Sequence, residues 1–170
     1  MVVTDLTIRT IVPADHEAVG AVGFAAWAAG GAFEDCYRDP HVIAKVQQEF
    51  AAFPHETKGE IFVAEQAGEI VGWTAREGER NYVSDLWVHP YSQGKGVGRA
   101  LLSYLYELMA AEGLATVRLD THARNERAIR LYERCGFTII WHGVEFSKSM
   151  GVPLEKVHME KQLADRPNRR

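Results

Sequence analysis

Cysteine is scarce in this 170-residue chain: Cys36 and Cys135 stand far apart, with no CxxC pair and no Cys/His spacing. That argues against a disulfide scaffold or a zinc module and makes a reduced compartment, the cytoplasm, the expected one. The seven histidines are scattered, so they form no metal-ligand pattern and no metal is expected. Long apolar runs are absent, and the N-terminus lacks a basic stretch followed by an apolar core, so neither a membrane span nor a signal peptide is expected. Positive charge is not in excess. Nineteen Lys and Arg against 23 Asp and Glu give a net charge of −4, which argues against broad nucleic-acid binding but leaves room for a local basic pocket. No internal repeat or low-complexity tract appears. The expectation is one globular domain over residues 1–165, with residues 166–170 a disordered tail.

Glycine, by contrast, is concentrated in one place. Residues 83–102 read VSDLWVHPYSQGKGVGRALL: an apolar strand pattern, a proline stop, a glycine-rich turn and the start of an amphipathic helix. The first N–H groups of a helix have no intrahelical partner, and the helix dipole adds partial positive charge there. Gly94, Gly96 and Gly98 strip side chains from that entrance, while Lys95 and Arg99 add formal positive charge. The stretch is built to cradle phosphate. It is not a P-loop, because Gly96 rather than Ser or Thr follows Lys95, which also argues against a nucleotide hydrolase. It is not a dinucleotide fingerprint, because Arg99 stands where the third glycine belongs.

The remaining pattern gives the order β-α-α-β-β-β-α-β-α-β-β. A strand over residues 6–11 is followed by helices over 16–29 and from Pro40, separated by an irregular stretch. Strands follow at 61–65, 70–75 and 81–88, then a helix whose Leu101, Leu102, Leu105, Leu108 and Met109 form a core stripe. A strand at 117–121 returns as a parallel crossover. Asn125 caps a helix from Glu126 to about Cys135, and strands near 137–146 and 156–163 close the chain.

Gln93, Gly96 and Gly98 resemble the pyrophosphate motif Gln/Arg-x-x-Gly-x-Gly/Ala of the GNAT acetyltransferases. A second segment, NERAIRLYERCGF, resembles that family's Asn-x-x-Ala-x-x-Leu-Tyr-x-x-x-Gly-Phe at Asn125, Ala128, Leu131, Tyr132, Gly136 and Phe137. The resemblance covers nearly the whole chain. It implies an α/β (α+β) GNAT fold, a mixed central sheet of about seven strands with a splayed parallel pair, flanked by four helices. It also implies an acetyl-CoA-dependent N-acetyltransferase acting on a primary amine by direct attack in a ternary complex.

On that resemblance Gly94, Lys95, Gly96, Val97, Gly98 and Arg99, with Gln93, hold the pyrophosphate of coenzyme A. Leu86, Trp87 and Val88 pair through their backbone with the pantetheine arm, and Asn125 and Ala128 complete the cofactor contacts. Tyr132 takes the family's general-acid position and also meets the cofactor. For the base, Asp120 corresponds to a carboxylate of the protein N-terminal acetyltransferases, with Asp85 and His122 as competitors. An acyl-cysteine route through Cys135 is disfavoured, since no base adjoins it in sequence. The acceptor, a small-molecule amine or a protein N-terminus, would meet Trp27, Phe33, Glu34 and Tyr37, and a second wall from Trp141 to Met150. Glu34, Asp35 and Glu145 would attract a cationic amine. A homodimer through the last two strands is a further implication, and an acyl-CoA sensor that does no chemistry is the alternative reading.

Overall fold

The computed structural model describes residues 5–30, 35–148 and 150–163. A short strand, β1 (Thr7–Thr10), passes through the Pro13–Asp15 turn into α1 (His16–Ala29). In α2 (Pro40–Glu56) Pro40 presets the first turn, and the Asp39 carboxylate accepts from the His41 N–H at 2.8 Å. The glycines that weaken α1 as an isolated helix serve its packing. A Cβ on Gly20 would lie 3.1 Å from the Phe50 carbonyl oxygen, so glycine there lets α1 and α2 close on each other.

The chain continues through β2 (Glu60–Gln66), β3 (Glu69–Arg76), β4 (Tyr82–Val88), α3 (Val97–Ala111), β5 (Thr116–His122), α4 (Glu126–Arg134), β6 (Thr138–Ser147) and β7 (Val152–Gln162). The strands form one seven-stranded sheet, ordered β1-β2-β3-β4-β5-β7-β6, in which only β4 and β5 run parallel. Alternation along β2 divides the core: Ile61 and Val63 pack with Val19, Val22 and Trp73, whereas Phe62 and Ala64 join clusters on the opposite face. There Leu102, Leu105 and Met109 of α3 meet Val117, Leu119 and Phe137. β7 starts at Val152, four residues earlier than the sequence pattern suggests. Pro153 is tolerated because β5 pairs with β7 only from Lys156 onward, leaving Pro153 a partner on the β6 side alone. Among the described residues no helix is long and apolar enough to cross a membrane.

Two irregularities shape the centre of the sheet. β4 and β5 pair only at Tyr82–Arg118 and Val83–Leu119, and then diverge. On its other side β4 stays paired with β3 as far as Val88, with one extra residue, Ser84, bulged out between the partners of Ala75 and Arg76. A bulge re-aims the side chains beside it, here those of Asp85 and its neighbours.

Below the sheet, Arg76 is 3% exposed, and its guanidinium bonds Glu60 at 2.5 Å and Glu112 at 2.6 and 2.7 Å, tying β2, β3 and the end of α3 together. Hydrogen bonds from Arg76 and Arg80 hold Glu112 down at about 2, from an ordinary 4.5. The folded-state value is the lower one, so this stabilisation is complete above about pH 4.5 and disappears as pH falls toward 2. In urea unfolding, Arg76→Ala should lose about 2 kcal/mol, because the buried Arg76 stem leaves a void and Glu112, only about a quarter exposed, loses its cation. A loss under about 1 kcal/mol would put the network among ordinary surface ion pairs.

Candidate active site

The divergence of β4 from β5 opens a cavity of about 1310 Å³ that runs from the glycine-rich turn and α4, through the gap, to α1, α2 and the β6–β7 turn. Its geometry divides into a phosphate end, a middle and an apolar end.

At the phosphate end Gly96 has φ +87°, a conformation that favours glycine, and directly precedes the first residue of α3. A Cβ there would meet nothing within 4 Å, so the backbone angle and not crowding calls for glycine, and Gly94, Gly96 and Gly98 at this helix entrance all border the cavity. Gln93 braces the turn. Its amide nitrogen donates to the Val88 carbonyl at 3.0 Å, and its oxygen accepts from Arg127 at 2.8 Å. The turn is thereby fixed to β4 and to α4 at once. Gln93, Gly94, Gly96, Gly98 and Arg99 line the cavity, as do Asn125 and Ala128. Asn125 caps α4, accepting from the Ala128 N–H at 3.3 Å. Lys95 is exposed and Val97 is buried in a core cluster with Ala64 and Leu101, and neither side chain is on the cavity wall.

In the middle, the antiparallel ladder decides which backbone groups are free. His89 N–H bonds Val71 O, so Trp87, two residues back, also turns its backbone toward β3. Leu86 and Val88 therefore turn theirs to the gap, where β5 does not reach them. Trp87 contributes its indole to the wall instead. Of these groups the Val88 carbonyl is taken by Gln93, so the Leu86 N–H and carbonyl and the Val88 N–H remain, and with the open helix entrance they fit a long anionic cofactor with an amide-bearing arm.

Three titratable side chains meet where the gap begins. Asp85 is half-buried, and desolvation pushes its carboxyl up to about 6; a hydrogen bond from the Trp87 indole N–H, at 3.1 Å, pulls it down, while Glu77 and Asp120 push it further up. Tyr132, 8% exposed, has its phenol raised by burial and then by the charges of Asp120 and Asp85. Asp120 is already engaged: Lys156 approaches at 2.9 Å and the Tyr82 hydroxyl donates to its other oxygen. His122 is buried and lies against Tyr37, their rings 6.3 Å apart. Cys135 is buried and is not on the wall.

At the apolar end, Trp27 and Tyr37 face the cavity as the sequence pattern suggests, their rings 5.7 Å apart. Phe33 and Glu34, the other two expected acceptor contacts, lie outside the described residues, as does the Asp35 side chain. The second expected wall is shorter than expected, with Ser147 and Met150 lining the cavity and Trp141 and Glu145 standing away from it, Glu145 next to His158 at 2.8 Å. The sequence pattern alone does not single out Phe50 and Phe53 as wall residues, although their helical spacing marks one face of α2. Nor does it single out Arg127, Arg130 and Arg134 on α4, whose spacing of three and four residues signals a single basic face. Nothing local in the sequence marks Lys156 as the partner of Asp120.

The profile of the acetyltransferase (GNAT) family matches residues 27–137. A mycothiol acetyltransferase from Streptomyces avermitilis is 33% identical over 139 residues, which are 78% of this chain and 42% of that protein. The chain thus spans less than half the length of that relative. A GCN5-related N-acetyltransferase from Rhodopseudomonas palustris superposes with a TM-score of 0.78 at 22% identity, covering 96% of this chain and 99% of that one. An acetyltransferase from Salmonella typhimurium, solved with its cofactor acetyl-CoA, superposes with a TM-score of 0.66 at 25% identity, covering 96% and 97%. With the splayed sheet and the glycine-rich helix entrance, these matches establish that the chain belongs to the acetyltransferase (GNAT) family.

Proposed function

We propose that this protein transfers the acetyl group of acetyl-CoA to a primary amine, with both substrates held in the single cavity that passes between β4 and β5. The observation that carries the reading is that continuity: the glycine-rich helix entrance, the stretch of β4 that β5 does not reach, Asp85 and Tyr132 all border one space. The first amides of α3 hold the pyrophosphate, with Arg99 and Arg127 beside them, and Leu86 and Val88 pair with the pantetheine arm. Asp85 takes the proton that an ammonium must lose before its nitrogen can attack. As the new N–C bond forms and the C–S bond breaks, the Tyr132 hydroxyl delivers a proton to the departing thiolate. Asp120, paired with Lys156 and Tyr82, acts as a fixed negative charge that positions this centre rather than as the base.

Release of free thiol from acetyl-CoA across an amine and peptide panel, with coenzyme A binding measured by calorimetry, tests the reading. Turnover with one acceptor class supports it. Binding without turnover on any amine or peptide favours the sensor alternative, and no binding removes the phosphate-end assignment altogether.

We also infer a cytoplasmic reaction, where acetyl-CoA is supplied, and a homodimer through β6, which ends the sheet and exposes Val144 (66%) and Phe146 (67%). Sedimentation velocity should show a dimer that Phe146→Glu dissociates. A wild-type monomer at tens of micromolar would refute it.

A further inference from the structure

Among the described residues, the acceptor half of the cavity carries many rings and few charges without a partner. Trp27, Phe50, Phe53 and Trp87 are half-buried and Tyr37 is buried, on α1, α2, β4 and the short turn before α2. Phe50 meets Trp87 edge-on with ring centres 5.1 Å apart, and Trp27 tilts against Tyr37 at 5.7 Å. Met150 and Leu154 pack in one cluster with Tyr37, Trp27 and Phe50 and add apolar surface to the wall. The charges nearby are mostly spent within the protein. Lys156 and Asp120 neutralise each other at 2.9 Å, so the ammonium that could have held a substrate carboxylate is taken. Glu145, which would have attracted a polycation, sits outside the cavity beside His158. Glu49 is exposed and borders the cavity, where it can draw in one ammonium group.

Resting on the acetyl-transfer reading, we propose that the acceptor is a primary amine carried on an aromatic or bulky apolar body, with no carboxylate beside the amine. Rings bind such a body by apolar contact area and by offset or edge-on stacking, whereas a polyamine or an aminosugar has no aromatic ring to stack and must desolvate its further polar groups against apolar walls. With Lys156 already paired to Asp120, a free amino acid would bring its carboxylate beside Asp85 and Asp120, where like charge and desolvation discriminate against it. One ammonium enters, gives its proton to Asp85 and becomes the neutral nucleophile.

The test compares 2-phenylethylamine with phenylalanine, spermidine and glucosamine as acceptors by thiol release, with coenzyme A binding followed by calorimetry. The first should exceed each of the others in kcat/KM by about tenfold or more. Trp27→Ala should raise KM for 2-phenylethylamine severalfold, leave kcat within about twofold, and leave KM for ethylamine unchanged. Phe53→Leu, which keeps an apolar side chain, provides a second variant should Trp27→Ala fail to fold, and should raise the same KM by a smaller factor. Preference for spermidine, glucosamine or phenylalanine overturns the proposal. Absence of turnover with all four, coenzyme A still binding, also overturns it while leaving the cofactor assignment standing. Loss of coenzyme A binding itself would overturn both.

Discussion

Tyr132→Phe is expected to lower kcat by about 10²- to 10⁴-fold, the range for losing a positioned acid, while coenzyme A affinity changes by no more than about twofold. The substitution removes one oxygen and keeps the ring, which packs against Phe137 with ring centres 6.0 Å apart, so the core around α4 should survive. The phenol suits the task because it stays protonated. Burial and the nearby carboxylates of Asp120 and Asp85 all oppose its ionisation, so a proton is available for the sulfur across the working pH range. Single-turnover and steady-state rates on one acceptor, with calorimetry on the variant, separate the alternatives. A tenfold rise in the dissociation constant with an unchanged kcat would make Tyr132 a cofactor contact and not the acid.

Asp85→Asn should lower kcat/KM over a similar range and, in addition, remove a feature of the pH profile. In the wild type, activity should climb as Asp85 ionises, with a half-point near pH 6. The amide cannot ionise, so the residual activity of the variant should lack that limb. Stability moves the other way. Because the folded-state value lies above the ordinary 3.8, the stabilisation contributed by the neutral acid is present at low pH and is lost as pH rises through about 6. At pH 7 the asparagine variant should therefore be at least as stable as the wild type while being far less active. If both fall together, Asp85 is holding the bulged strand in place, and the base must be sought elsewhere.

Much of this molecule is legible in the chain because its signals are local. The capping of α4 by Asn125, the left-handed Gly96 and the stripe from Leu101 to Met109 each depend on residues close in sequence. The phosphate end is legible for the same reason, being a single contiguous stretch. What stays hidden depends on partners distant in sequence. Asp120 and Asp85 look alike as isolated carboxylates, and only the arrival of Lys156, 36 residues after Asp120, separates an anion paired with a cation from a desolvated one that lacks it. The bulge at Ser84 is set by register with β3, and no residue in β4 announces it. Likewise Leu86, Trp87 and Val88 read as equivalent in sequence until the ladder to β3 shows that the middle one faces away.

The open stretch of β4 carries a further consequence. Exposed strand edges invite other strands, and proteins ordinarily blunt them with charge or proline. This one lies inside a wedge, bounded by β5 and closed where Val83 meets Leu119. A neighbouring protein's strand, flanked by its own sheet, is too broad to enter, whereas a single slender chain can slide in from the glycine-rich mouth. The protein can thus keep the backbone groups of Leu86 open to a slender ligand without offering them to its neighbours, and width alone acts as the filter.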